Sequence, residues 1–381
     1  MKKILFTTFL SLSILILFKS NTVIAQQTGS DREWGTITTA VPFLLIGPDA
    51  RSGGMGDVGA ATTPDPHSIY WNASKLAFVE NSFGLTGSYV PWLSGLVDDI
   101  GLGYVSGYGK IGELQTVSAS LRYFSLGSIT FRNQEGVDQG TYKPNEFAID
   151  IAYARKLSET FSAAVTGKFI YSNLTLGQVE GTRAGTSVAA DISIYYNKPL
   201  KFSGNRNGFW ALGVAVQNIG NKISYTSSTN KDFIPTNLKI GTSFGVDLDE
   251  YNFISINLDF NKLLVPTPPV LDSNDNPIPP YKDNDVSVIQ GMFQSFYDAP
   301  FEEEMQEIVI SGGVEYWYDK QFALRGGYFY ENPKKGNRQF FTLGAGLKYN
   351  VFGLDFSYLI ATNPNNPLKN TLRFTLTYDL E

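Results

Sequence analysis

Residues 146–157 read Glu146-Phe147-Ala148-Ile149-Asp150-Ile151-Ala152-Tyr153-Ala154-Arg155-Lys156-Leu157. Phe147, Ile149, Ile151 and Tyr153 fall on one side of a two-residue repeat; Ala148, Asp150, Ala152 and Ala154 fall on the other. Successive side chains of a strand point to opposite faces, so the stretch reads as a strand with one large apolar face and one small or charged face. Residues 237–248 repeat the pattern, with Leu238, Ile240, Phe244 and Val246 opposed to Lys239, Gly241, Ser243 and Asp247. In 370–380, Leu372, Phe374, Leu376, Tyr378 and Leu380 oppose Thr371, Arg373, Thr375, Thr377 and Asp379.

Working outward, about fourteen such segments follow one another, near 83–90, 98–108, 114–124, 146–157, 160–173, 185–197, 208–218, 237–248, 251–261, 308–318, 321–330, 339–349, 352–360 and 370–380. Tight turns at Ser158-Glu159, Asp249-Glu250, Asp319-Lys320 and Asn350-Val351 alternate with longer links at 91–97, 125–145, 174–184, 219–236, 262–307, 331–338 and 361–369. With both termini in the periplasm, every tight turn falls on that side and every longer loop outside, the asymmetry of outer-membrane barrels. The expected fold is therefore all-β: a transmembrane antiparallel β-barrel of about fourteen strands, with an N-terminal plug segment. Charges such as Asp150, Lys168, Asp191, Lys239, Asp247, Asp259, Glu315, Arg325, Lys348, Asp355 and Arg373 oppose the apolar face, and lipid would penalise them, so they are assigned to the lumen. Aromatics near strand ends, among them Tyr153, Tyr195-Tyr196, Trp210, Tyr349, Tyr358 and Tyr378, suit interfacial girdles or simply strands.

Composition agrees. The 381 residues include 37 Gly, 21 Tyr and 27 Phe, which suits pleated strands and tight turns better than helices. A mean hydropathy of -0.10 is what a barrel gives when apolar lipid-facing residues alternate with polar lumenal ones. Met1-Lys2-Lys3 precedes the apolar run Ile4 to Phe18, and Val23-Ile24-Ala25 offers small residues for a signal peptidase. Residues 1–25 are thus expected to be a signal peptide cut before Gln26; the run is shorter than the roughly 20 apolar residues of a spanning helix. The expected layout continues with a plug or hatch at 26–82 and the barrel at 83–381.

Chemistry is sparse. The chain has no cysteine, which removes disulfides, thiolate nucleophiles and zinc-thiolate sites. A net charge of -6 argues against nucleic acid. The one histidine, His67, lies in Pro64-Asp65-Pro66-His67-Ser68 and reads as a turn residue. Gly53-Gly54-Met55-Gly56 lacks the Lys-Ser/Thr context of a phosphate-cradling loop, and Asp272, Asp275, Asp283 and Asp285 lack the glycine and terminal glutamate of a calcium loop. No catalytic set, metal site or cofactor is expected.

The loop 262–307 is too long to be a simple connection. It opens with Pro266, Pro268, Pro269, Pro277, Pro279 and Pro280, then turns helix-like over 286–305, with Val288, Ile289, Met292, Phe293, Phe296 and Tyr297 at three- and four-residue spacing and Glu302 to Glu304 as a charged end. An amphipathic helix needs a partner for its apolar face: either the helix lies over the barrel mouth as a lid, or it docks another protein.

The pre-barrel segment Asp49-Ala50-Arg51-Ser52-Gly53-Gly54-Met55-Gly56-Asp57-Val58-Gly59-Ala60-Ala61, with Ser68-Ile69-Tyr70-Trp71-Asn72-Ala73-Ser74-Lys75-Leu76-Ala77 after it, resembles the N-terminal signature of the PorV family of type IX secretion system proteins. These are FadL-like barrels with about fourteen strands and an N-terminal segment in the lumen. The plug signature would comprise Arg51, Gly53, Gly54, Met55, Gly56, Asp57, Trp71 and Asn72, with Arg51 and Asp57 pairing with lumenal charges. The resemblance implies a non-enzymatic carrier in the outer-membrane lipid. It would take cargo, by its C-terminal signal domain, from a large Sov/SprA-like translocon and deliver it to a PorU-like sortase complex. Met292, Phe293, Phe296 and Tyr297, with Trp92 and Leu93 at a second loop, are the expected contacts. The alternative is a FadL-like channel for uptake of hydrophobic small molecules, which needs an apolar lumenal pocket.

Overall fold

The computed structural model describes residues 35–380 except 94–96, 98, 133–135, 178–180, 205, 227–230, 275 and 364–365. The expected signal peptide lies outside the described residues. Sixteen strands form: β1 (Phe83–Pro91), β2 (Ile100–Ile111), β3 (Gln115–Leu126), β4 (Ile129–Arg132), β5 (Asp138–Tyr142), β6 (Asn145–Lys156), β7 (Phe161–Asn173), β8 (Gly185–Phe202), β9 (Arg206–Gly220), β10 (Asn237–Asp247), β11 (Asn252–Leu263), β12 (Val309–Tyr318), β13 (Phe322–Tyr330), β14 (Gln339–Tyr349), β15 (Phe352–Ala361) and β16 (Leu372–Leu380). All but β4 and β5 pair with their neighbours antiparallel in one closed barrel of fourteen strands. Closure joins β1 to β16, from Phe83↔Leu380 to Tyr89↔Phe374.

The faces of these strands show which solvent each was chosen for. In β6 the apolar Ile149, Ile151 and Tyr153 are exposed, Ile151 by 61%, while Glu146, Asp150 and the small Ala148, Ala152 and Ala154 are buried. The same inversion recurs in β7, β8, β10 and β11. A wall with apolar residues outside and paired charges inside is stable only against hydrocarbon. Of the charges assigned to the lumen, Asp247 and Asp355 are half-buried and Lys348, at a strand end, is exposed. Tyr195 also departs from the girdle reading, since it is fully buried on the inner face, its ring 5.6 Å from that of Phe78.

Short turns gather at one end. Asp319 and Lys320 both take positive φ, as a two-residue hairpin turn of the right twist requires. The longer links gather at the other end, and two hold structure that the alternation did not reveal. The link 125–145 carries the β4–β5 hairpin, outside the barrel sheet. The expected single helix over 286–305 is two: α3 (Val288–Gln294) and α4 (Phe301–Gln306). Pro300 precedes α4; its ring biases Ala299 toward extended backbone, which breaks the helical run. The strands β8 and β9 also run past the expected limits, pairing through Leu200↔Gly208 to Phe202↔Arg206.

Ahead of β1, two short helices, α1 (Ala50–Gly53) and α2 (Ser68–Trp71), and 3-10 turns at Pro42–Leu45 and Ala73–Phe78 make up a compact segment. From Ala40 to Val79 it is mostly buried, and its hydrogen-bond partners are inward-facing residues of strands all round the barrel, including Thr86, Thr116, Ser162, Ser193, Asp259, Glu315, Thr342 and Thr375. It therefore lies inside the barrel. Its start is not at the short-turn end: the Gly35 carbonyl accepts from Lys335 Nζ at 3.0 Å, in the link 331–338, so the segment enters the lumen from the long-loop end.

Candidate functional site

Inside the lumen, the charged side chains from Asp49 to Lys75 are bonded by the wall or by the segment itself. Asp49 caps α1, its Oδ1 accepting from Ser52 N at 2.7 Å, while its Oδ2 accepts from Trp71 Nε1 at 2.6 Å. Arg51 forks onto Glu315, with Nε and Nη2 at 2.9 and 2.8 Å, and Nη1 reaches Asp65 at 2.8 Å. Glu315 also accepts from Arg325 Nε at 2.8 Å, and Arg325 reaches Asp355 at 2.6 Å. Asp57 pairs with Arg373. The backbone N–H groups of Gly59 and Ala60 donate to Asp259 Oδ2 at 2.7 and 2.8 Å. Lys75, fully buried, donates to the Gly59 carbonyl at 2.7 Å and to Thr62 Oγ1 at 2.9 Å.

Asn72 binds both layers, donating to the carbonyls of Ala60 (2.9 Å) and Ile194 (3.1 Å). His67 lies in a turn, and that turn is buried, with Nε2 3.0 Å from Thr86 Oγ1 and 3.1 Å from Ser88 Oγ. Glycines set the approach distance. Gly56 has φ +74°, and a Cβ there would stand 2.7 Å from the Tyr328 carbonyl oxygen. Gly53 and Gly54 are likewise buried against the wall, and Met55 is fully buried over Gly313 and Gly327. Arg51 and Asp57 thus each pair with a charge of the barrel wall. That Glu315 and Arg373 would be the partners was not visible, because they lie hundreds of residues away.

At the long-loop end the segment 286–307 turns its polar side inward. Glu304 accepts from Lys262 at 2.9 Å and from the N–H groups of Asp298 and Ala299; Glu307 accepts from Lys262 (2.6 Å), Lys335 (2.9 Å) and Thr267 Oγ1 (2.8 Å); Glu303 accepts from Lys335 at 2.6 Å. Burial, then the neighbouring Glu304, pushes the Asp298 carboxyl up to about 6. The apolar side faces out: Phe293 is 67% exposed and Phe301 80%, with Ile289, Phe296, Tyr297 and Met305 also exposed and Met292 half-buried. Lys282 Nζ lies 3.8 Å from the centre of the Tyr297 ring and Lys262 Nζ 5.9 Å from that of Phe296. Trp92 and Leu93 do not share this ridge: both are half-buried and pack inward against the Phe329, Phe340, Leu359 and Leu368 cluster, where their apolar surface is already used.

Within the outer half of the lumen, between the segment and the wall, lies a cavity of about 550 Å³. Its lining runs from Thr36–Thr39 and Phe43 through Trp71 to Lys239, Phe329 and Arg373. Among the described residues no cluster of acids and histidine suits a metal ion.

A closed, even-stranded barrel with an apolar outer band, sorted loops and a filled lumen is a transmembrane barrel of the outer-membrane kind. In sequence, the description of the PorV family, type IX secretion system protein PorV, matches residues 29–270, which spans the lumenal segment and the strands through β11 and ends ahead of α3 and α4. The chain belongs to the PorV family and is an outer-membrane component of the type IX secretion system. No curated protein matches it in sequence. Among solved structures it is similar to the Pseudomonas putida toluene transporter TodX (11% identity, 88% of this chain and 99% of that one, TM-score 0.48). It is also similar to the Ralstonia pickettii toluene transporter TbuX (12%, 89% and 100%, 0.45) and to a Pseudomonas aeruginosa FadL homologue (10%, 91% and 100%, 0.42).

Proposed function

We propose that the protein is a non-enzymatic carrier that holds the C-terminal signal domain of secreted cargo on its external ridge, taking it from a Sov/SprA-like translocon and passing it to a PorU-like sortase complex. The observation that carries the reading is the inverted polarity of 286–307, where four carboxylates are buried and six large apolar side chains of α3, α4 and their link stand exposed. A soluble segment left to itself buries the reverse, and a rim of this kind with large apolar side chains is what anchors a protein interface. Residues 35–82 act as a plug: their fixed pairings keep the lumen closed to passage while cargo is held outside.

The test replaces Phe293, Phe296 and Phe301 together by serine. The barrel remains heat-modifiable on gels, and a mild-detergent pull-down from outer membranes loses cargo bearing the signal domain by roughly tenfold or more. Cargo recovered at the wild-type level would refute the assignment of the ridge. Uptake of hydrophobic small molecules is the second reading, favoured by the cavity and disfavoured by the packed segment below it.

A further inference from the structure

One hairpin of the short-turn end differs in charge from its neighbours. Four of the other short turns carry acids: Glu113 between β2 and β3, Glu159 between β6 and β7, Asp249 and Glu250 between β10 and β11, and Asp319, beside Lys320, between β12 and β13. The turn between β14 and β15, Asn350-Val351, is uncharged. The end of the β8–β9 hairpin, 197–209, holds Lys198, Lys201 and Arg206 and no acid, in a chain whose net charge is -6. All three cations are exposed, and among the described residues none forms an ion pair; Arg206 donates from Nε to the Ser203 carbonyl at 3.2 Å, which leaves both its terminal nitrogens for another partner. The hairpin also outruns the strand beside it. The last partner of β8 on β7 is Phe161, opposite Tyr196, so Lys198 to Phe202 pair with β9 alone.

Alternation fixes where the charges point. Tyr196, Lys198, Leu200 and Phe202 share the lipid side of β8 with Ile192 and Ile194, and cross-strand pairing sets Trp210 opposite Lys198, Gly208 opposite Leu200 and Arg206 opposite Phe202. Lys201 falls on the other side of the ribbon. The rings of Tyr196 and Trp210 meet edge to face with 5.9 Å between centres, and the Phe202 ring meets Phe244 of β10 in the same way at 6.0 Å. Toward the turn, the lipid side thus passes from the aliphatic Ile192, Ile194 and Leu212 through an aromatic pair to two cations. That is the order of a membrane boundary: hydrocarbon, interface, headgroups. A long basic side chain at such a place lays its stem on apolar surface and its charge among the headgroups. Cations that face the lipid side meet phosphates, whereas a soluble acidic protein would approach the turn from below.

The short-turn end of an outer-membrane barrel faces the periplasm, and the leaflet on that side is phospholipid. We propose that the lipid side of the β8–β9 hairpin binds anionic phospholipid headgroups of that leaflet, their phosphates on Lys198 and Arg206 and their first methylenes against Leu200, Phe202 and Trp210. The acidic turns elsewhere on the rim disfavour the same headgroups, so the charge pattern draws such lipid to this sector and fixes the depth of the barrel there. The site lies at the opposite end of the barrel from the external ridge and does not rest on the cargo reading.

The experiment gives the intact barrel, in an uncharged detergent, equal amounts of phosphatidylglycerol and phosphatidylethanolamine with the same acyl chains, and counts the lipids that stay bound by native mass spectrometry. The wild type retains phosphatidylglycerol in preference. At roughly fivefold per cation near a charged membrane surface, Lys198→Gln together with Arg206→Gln lowers the ratio of the two lipids about 25-fold. The variant barrel stays heat-modifiable on gels. Lys201→Gln removes the same charge from the other side of the ribbon and leaves the ratio unchanged. No preference on the wild type, which would leave the hairpin to a soluble acidic partner, would overturn the proposal. So would a ratio unchanged in the double variant, or an equal fall in Lys201→Gln, the mark of net charge rather than of a site.

Discussion

The segment and the wall approach closely at Gly327, and one methyl group tests the fit. Gly327 on β13 faces Gly313 across the β12–β13 pair, and both lie under Met55. A Cβ on Gly327 would stand 2.1 Å from the Met55 carbonyl carbon and 2.3 Å from Gly56 N; one on Gly313 would stand 2.4 Å from the Met55 carbonyl oxygen. These are main-chain atoms, so no rotamer change relieves the overlap, and Gly327→Ala takes the upper end of the cost of overpacking, about 3 kcal/mol. That shifts the balance between seated and unseated segment by roughly 150-fold. Gly326 and Gly312 are the controls: a Cβ at either meets nothing closer than 4.0 or 3.9 Å. Because the chain has no cysteine, Val58→Cys at a fully buried position introduces a unique thiol. In lipid vesicles, maleimide labelling of that thiol, where it follows the open population, is expected to run roughly 150-fold faster with Gly327→Ala and unchanged with Gly326→Ala. Equal rates in the two backgrounds would refute the claim that the segment is held by close approach at Met55.

Glu315→Gln removes the carboxylate shared by Arg51 and Arg325; with Asp65 and Asp355 still in place, the loss is about 3 kcal/mol, read as a lowered urea midpoint in vesicles, and Arg51→Met adds less than its own effect on top. Ile151→Arg, at the middle of β6 and facing lipid, costs about 2–4 kcal/mol in the same assay. Asp298 gives the loop a pH dependence. Its carboxyl is raised from 3.8 to about 6, so packing of 286–307 is least penalised below the lower value, weakens as pH rises through that window, and is level above it. Proteolysis of the loop should therefore quicken between those two pH values and plateau above, with the rise abolished in Asp298→Asn.

The barrel was legible because its code is local. Each of the fourteen strands carries its two faces within ten residues, and lipid on one side and charge on the other make those faces unlike. The β4–β5 hairpin escaped for the same reason in reverse: most residues of β4 are exposed, so no face is set apart. The helices α3 and α4 showed their three- and four-residue spacing, but not which side would turn inward. That choice belongs to Lys262 and Lys335, tens of residues from the carboxylates they bind, and no window of sequence contains both. The segment presents the same problem at greater range. Arg51 and Asp57 invite partners, yet nothing near them names Glu315 or Arg373.

That range has a consequence for how such chains diverge. Arg51 and Glu315 are separated by 264 positions, Asp57 and Arg373 by 316, and Ala50 N and Thr375 Oγ1 by 325. A change of charge at one end of the chain is thus tolerated only with an answering change near the other. Relatives that differ at position 315 or 373 are expected to differ at 51 or 57 as well, and a segment transplanted from a sister barrel would arrive with the wrong complement of charges. The two ends of the chain are therefore expected to vary together, as one unit joined through the lumen.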